Sequence, residues 1–264
     1  MPAPLFRGKT RTASMYMGPA MAADQMPEVA LAMFRVLTAW PWVETQLALT
    51  MVAILQADSR IEIHNFVNTP NTTRLKELLL DRAKKKLSDD MQQMLEVLVQ
   101  MFSEDFKKRN KLAHWLSGVS PQVHDGLLLE NPHAMWKYTV EIEEWKAAMA
   151  AARERDDFAA IERMEMPGMV RQHAFVYKIK DFDDMLARFK QTQDAFFWFR
   201  FSMIQKGEGR ADALSRLNNV PRVLSGLETL RARLRTAPAP RRAPSLASLR
   251  RLWKRACRAL GNLF

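Results

Sequence analysis

Residues 106–118 read FKKRNKLAHWLSG and gather an arginine, an asparagine and a histidine, Arg109, Asn110 and His114, over six consecutive positions. Imidazole takes up and releases a proton close to neutral pH. A guanidinium offers a planar fork of donors to a phosphate or a carboxylate, and an amide beside it can orient either partner. Such groups either perform acid–base and anion-binding chemistry or only finish a helix and hold a core together. Two more histidines, His124 and His133, follow within twenty residues. The spacings of His114, His124 and His133 fit no ligand pair on a single helix, and no cysteine or acid cluster accompanies them. They read as loop histidines, and no metal is expected. The chain carries neither a Gly-rich phosphate loop nor a nucleophile elbow, and no cofactor is expected.

A helix must hold these groups. Ser88 followed by Asp89 and Asp90 is an N-terminal capping signal with acids in the first turn, so a long helix should run from there to about Trp115. On a helical wheel Met91, Leu95, Leu98, Phe102 and Phe106 make one apolar stripe, which Ala113 and Leu116 extend. Arg109 falls in the middle of that stripe, whereas Lys107, Lys108 and Lys111 face the other way as solvated lysines. An arginine there is costly unless it meets an acid, a phosphate or a wet groove. A helix expected from Pro41 to Ala57 has Val43, Leu47, Met51 and Ile54 as its stripe and Glu44 on the stripe's edge. If the two helices pack together, Glu44 and Arg109 are natural partners in a purely architectural ion pair. Asn110 and His114 share one helix edge. Arg109 and His114 point about 140° apart on an ideal helix, and converge only if the arginine reaches round or a second copy supplies one of them.

The remaining elements are read from punctuation and periodicity. A helix from Glu28 should stop near Ala39, because Pro41 suits the first turn of a new helix better than the middle of an old one. NTPNTT is a polar turn before the helix RLKELLLDRAKKKL. GVSPQVHDG reads as loop, and LLLENPHAMWKYTVEI as two short extended runs forming a hairpin around Asn131-Pro132. EEWKAAMAAARERDDFAAIERM is helical by composition, HAFVYKIK alternates like a strand, and Asp181 opens a last long helix. Its run AFFWFRF is aromatic on every side and reads as core or dimer interface. The expected fold is mainly α: a helical bundle with a small β element inserted after the helix that carries the trio.

Composition separates a body from a tail. Residues 229–264 hold ten of the forty Lys and Arg and none of the twenty-nine Asp and Glu, so the net charge of +11 falls to +1 over residues 1–228. The basic pI therefore says nothing about the body. The expected organisation is a flexible leader over 1–27, a helical domain over 28–228 with an inserted segment at 119–180, a Pro/Arg-rich linker over 229–245 and a helix over 246–264. That last helix sets Leu249, Leu252, Trp253 and Leu260 against Arg250, Arg251, Lys254, Arg255 and Arg258. Such a cationic amphipathic segment could lie on an anionic membrane surface, grip RNA phosphates or dock in the groove of a protein partner. The leader lacks the apolar core of a secretory signal, and TQLALTMVAILQ is too short to span a bilayer. With one cysteine, Cys257, the expectation is a reducing, cytoplasmic setting, with the tail as the route to any membrane association.

The pattern Arg109-Asn110-Lys111-Leu112-Ala113-His114, at the end of a long amphipathic helix and preceded by a helix with WVETQL and a shorter one, resembles the HEPN superfamily. The likeness covers about residues 28–118, and the helix at 181–206 could close the bundle. The resemblance implies a metal-independent endoribonuclease, or a descendant that only binds RNA, working as a homodimer with two motifs face to face. Many members act as toxins beside a neutralising protein. It implies His114 as general acid or base at a ribose 2′-hydroxyl, Arg109 as the donor that stabilises the transition state, and Asn110 as an orienting group. The 119–180 segment and the basic tail depart from compact members of that family. The competing reading is a non-catalytic helical interaction protein built on the Arg109–Glu44 pair, with the C-terminal helix binding a membrane or a partner.

Overall fold

A computed structural model describes residues 2–4, 16–55, 64, 68–69, 72–165, 167 and 174–236. Contacts divide the chain into two units, Met1–Gly226 and Leu227–Phe264. Residues 229–236 of the expected linker are helical instead, the end of a helix that runs from Pro221 to Thr236, and residues 237–264, with Arg250, Arg251, Trp253, Lys254, Arg255 and Arg258, lie outside the described residues.

The fold is mainly α, with a small antiparallel sheet. In chain order the elements are β1 (Ala3–Pro4), β2 (Tyr16–Met17), α1 (Pro19–Gln25), α2 (Pro27–Leu55), α3 (Thr72–Lys86), α4 (Asp89–His114), β3 (Leu116–Ser120) and β4 (Val123–Glu130). There follow α5 (Pro132–Glu154), α6 (Phe158–Arg163), β5 (Ala174–Tyr177), α7 (Ile179–Ile204), α8 (Gly207–Asn218) and α9 (Pro221–Thr236). Four helices begin on a proline, whose missing N–H is one the first turn leaves unpaired in any case.

α2 does not break at Pro41. It runs through as one helix, because Val36 and Trp40 before the proline and Val43 and Leu47 after it bury the same face. The ring stands on the exposed side, so burial along a continuous stripe outweighs one lost backbone bond. Trp40 is the centre of the core, packed against Phe102 at 5.1 Å, Phe189 at 5.2 Å and Phe106 at 5.9 Å. α7 contributes Phe182, Phe189, Phe196 and Phe199, all fully buried, while Phe197 is exposed with Arg200 over its ring. The aromatic run is thus split between core and surface.

The sheet has the order β1-β5-β4-β3-β2, every pair antiparallel. β3 and β4 form a hairpin turning at Pro121-Gln122, where a loop was expected. β4 is central, and Leu127, Leu128 and Leu129 are all buried, as a strand covered on both faces requires. No second hairpin forms at Asn131-Pro132: Asn131 caps α5, accepting a hydrogen bond from the His133 N–H, and Pro132 starts it. The β-rich appearance of MWKYTVEI gives way to this cap–proline signal. α5 buries only Ala152 among its side chains. The described residues of the expected leader supply both edge strands and α1. Gly118 is required at the inner edge pairing, where a Cβ would meet the carbonyl oxygen of Tyr16.

Candidate functional site

α4 carries the trio in a single unbroken helix from Asp89 to His114. Ser88 stands at the cap position with no side-chain hydrogen bond, leaving Asp89 and Asp90 to meet the helix's positive end. The other end stops sharply, as Trp115 turns extended and returns its N–H to the Lys111 carbonyl at 2.9 Å.

Arg109 is half-buried, and its Nη1 donates to Asn110 Oδ1 at 3.2 Å. Its Nε is fully buried without a hydrogen-bond partner among the described residues. The guanidinium forms no ion pair there either, and Glu44 is exposed on α2 rather than turned towards it. The architectural pair is not formed. Glu44 sits on the solvent side of its stripe's edge, where water solvates it at no cost. His114 is exposed as the last residue of α4, and neither it nor Arg109 has a carboxylate partner among the described residues. The structure therefore joins Arg109 to Asn110 and leaves His114 apart. Because both lie in one regular helix, their side chains leave it about 140° apart.

The apolar stripe also ends differently. Ala113 is exposed, and the last buried residue of α4 is Leu112, on a second strip with Val97, Met101 and Asp105. That strip holds the buried charge. Asp105 has no exposed surface and accepts hydrogen bonds from Thr192 Oγ1 at 2.6 Å, Arg222 Nη1 at 2.7 Å and Arg188 Nε at 3.2 Å. Glu104 sits above it, 3.0 Å from Arg188 Nη2 and 3.4 Å from Arg222 Nη2. Burial pushes the Glu104 carboxyl up, but the hydrogen bond from Gln100 and the charges of Arg222 and Arg188 outweigh it and hold the group below the usual carboxylate range. Lys108, expected in solvent, is half-buried beside this cluster. Burial, then repulsion from Arg188, lowers its pKa.

One acid near the trio was not singled out from the sequence. Glu130 is 2% exposed, its Oε2 has no hydrogen-bond partner among the described residues, and burial raises its pKa. The β3–β4 register sets it opposite Leu116, two residues beyond His114. The signal was its place at the end of the apolar run LLLE, where an acid has no amphipathic reason to be.

Among the described residues no group of three or more His, Cys, Asp and Glu could hold a metal ion, and no helix is long and apolar enough to cross a membrane. No family model matches the chain, and neither a curated protein nor a solved structure is similar to it.

Proposed function

We propose that this protein binds RNA and cleaves it without a metal, as a homodimer of the HEPN kind, with Arg109, Asn110 and His114 at the site. The observation that carries the reading is the state of Arg109. Arg188 and Arg222 both meet the buried Asp105 and the exposed Glu104, whereas the half-buried Arg109 has, among the described residues, only an amide. A phosphodiester would supply the missing counter-charge. In the reaction the ribose 2′-oxygen attacks the adjacent phosphorus, the bond to the 5′-oxygen breaks, and a 2′,3′-cyclic phosphate remains. His114 of one copy takes the 2′ proton, and the imidazolium of the other copy protonates the departing 5′-oxygen. Arg109 meets the charge that builds up on phosphorus.

The divergence of Arg109 and His114 within one copy calls for a second copy, and α2 offers a surface for it. Leu31, Phe34, Trp42 and Leu49 are exposed along the side opposite its buried stripe. Between them Thr38 and Thr45 donate their hydroxyls to the Phe34 and Pro41 carbonyls at 3.0 and 2.8 Å. An apolar stripe of this length is more than scattered surface residues require.

The test is RNA cleavage in EDTA by wild type, His114→Ala and Arg109→Ala, with sedimentation of wild type and Trp42→Glu. Chelation leaves cleavage intact, both site variants lose activity by a factor on the order of 100 or more, and Trp42→Glu sediments as a monomer. Wild type that neither binds nor cuts RNA, or equal cutting by all three, refutes the proposal.

A further inference from the structure

A groove of about 630 Å³ opens between α4, β5 and α7, and none of the trio lines it. It is lined by Lys108 and Lys111 of α4, Phe175 and Tyr177 of β5, and Asp181, Asp184 and Arg188 of α7. Asp105 of α4 meets Arg188 and Thr192, whereas Lys111 lies 5.9 Å from the Phe175 ring, upstream of α7. The two helices therefore run in opposite directions. Lys108 stands at the Arg188 end of the groove and Lys111 towards the Asp181 end.

The charges along it are graded. At the inner end Lys108, Arg188 and Arg222 face Asp105 and Glu104, one positive charge in excess. At the outer end Asp181 and Asp184 face Lys111, one negative charge in excess. Most of these groups are engaged: Arg188 by two acids, Asp181 by the Lys178 N–H at 3.1 Å, and Lys111 by the faces of Trp115 and Phe175. Two are not. Lys108 is half-buried, and neither it nor Asp184 has an ion pair or hydrogen bond among the described residues. Tyr177 adds a hydroxyl, kept protonated by burial and by Asp181, which push its pKa up to about 12. Phe175 and Met185 supply apolar surface between the two ends.

We infer that this groove binds a small zwitterion, its carboxylate on Lys108, its ammonium on Asp184, and its apolar body along Phe175 and Met185. Asp184 and Asp181 lie four and seven residues before Arg188 on α7, about 6 and about 10 Å along the axis. A free α-amino acid, with its charges on neighbouring atoms, is too short to satisfy both ends. A dipeptide or an ω-amino acid is long enough. The groove volume suits such a molecule. The site shares no residue with the trio and does not depend on the RNA reading.

Calorimetric titration of the full chain with 6-aminohexanoate and with the dipeptide Gly-Phe tests this, with hexanoate and hexylamine as singly charged controls. Both zwitterions bind at least about tenfold more tightly than the controls, and Lys108→Met and Asp184→Asn each weaken them about tenfold. Lys108→Met leaves hexylamine unaffected. Circular dichroism melting confirms that both variants are folded, and the comparison of the four compounds on wild type needs neither variant. The inference fails if neither zwitterion gives heat at about 10 mM, if the controls bind as tightly, or if both variants keep wild-type affinity.

Discussion

Removing Asp105 should be among the most damaging single changes in the body of the protein. Its carboxylate is fully buried and serves Thr192, Arg222 and Arg188 at once. In Asp105→Ala the two guanidiniums lose their buried counter-charge, and their side chains are only 13% and 29% exposed. Breaking a buried pair by deleting one partner costs about 3–5 kcal/mol. The lower figure applies here, because Glu104 still faces both arginines and Arg188 has a route to water. A loss of about 3 kcal/mol is a large part of the ~5–15 kcal/mol that stabilises a typical domain. Urea unfolding at neutral pH, followed by tryptophan fluorescence and by circular dichroism, measures it as a lower midpoint at unchanged slope. In the Asp105→Ala/Arg222→Met double variant the orphaned cation is gone too. The double should therefore cost at least about 1 kcal/mol less than the sum of the singles. A single-variant loss below about 1 kcal/mol, or strict additivity, would refute the claim that this cluster holds α4, α7 and α9 in register.

Two acids should respond to pH with opposite signs. The folded-state pKa of Glu104 lies below its ordinary 4.5, so its contribution is present above that pH and lost as pH falls through the lowered value. Glu104→Gln therefore melts lower than wild type at neutral pH, and the gap closes in acid. Glu130 is raised by burial, so ionising it costs folded-state stability once pH exceeds its ordinary 4.5. Glu130→Gln should melt higher than wild type at pH 7, with the advantage shrinking in acid, and a lower melting point at pH 7 would mean the carboxylate has a stabilising partner. Gly226 lies against Val97, and a Cβ there would overlap the stiff Cγ1 of that valine. Gly226→Ala forces α4 and α9 apart at a cost of about 1–3 kcal/mol, more than the ~1 kcal/mol gained in helix propensity, and a raised melting temperature would contradict the close approach.

Much of the helical layout was legible because it rests on local signals. Ser88-Asp89-Asp90 fixed one end of α4 and the periodicity of Met91, Leu95, Leu98 and Phe102 fixed its inner face, and both stand in the structure. The misread elements are those where distant contacts override local preference. Pro41 says "break", and only the stripe shared by Trp40 and Val43 shows why α2 continues. The N-terminal segment reads as loose because two-residue edge strands have no periodicity of their own; they exist only by pairing with β3 and β5. The β3–β4 hairpin hid in VSPQVH because its turn lacks the Asn-Gly signature that marks most two-residue connections.

The site shows the same division in sharper form. A wheel can show that a charge stands on an apolar face, and it showed this for Arg109. It cannot show a second buried face when that face is itself interrupted by charge. The strip of Val97, Met101, Asp105 and Leu112 becomes visible only once Arg188 on α7 and Arg222 on α9 are brought to Asp105 from 83 and 117 residues away. The architectural role expected of Arg109 and Glu44 thus belongs to Asp105 and its two arginines. Three arginines in one bundle then separate by a single criterion, whether an acid meets them. Arg188 and Arg222 are answered from within the fold, so their loss should register as stability. Among the described residues Arg109 is answered only by Asn110, so under the proposed RNA cleavage its loss should register as activity, and an Arg109→Ala variant that melted several degrees lower yet cleaved RNA as wild type does would overturn that separation.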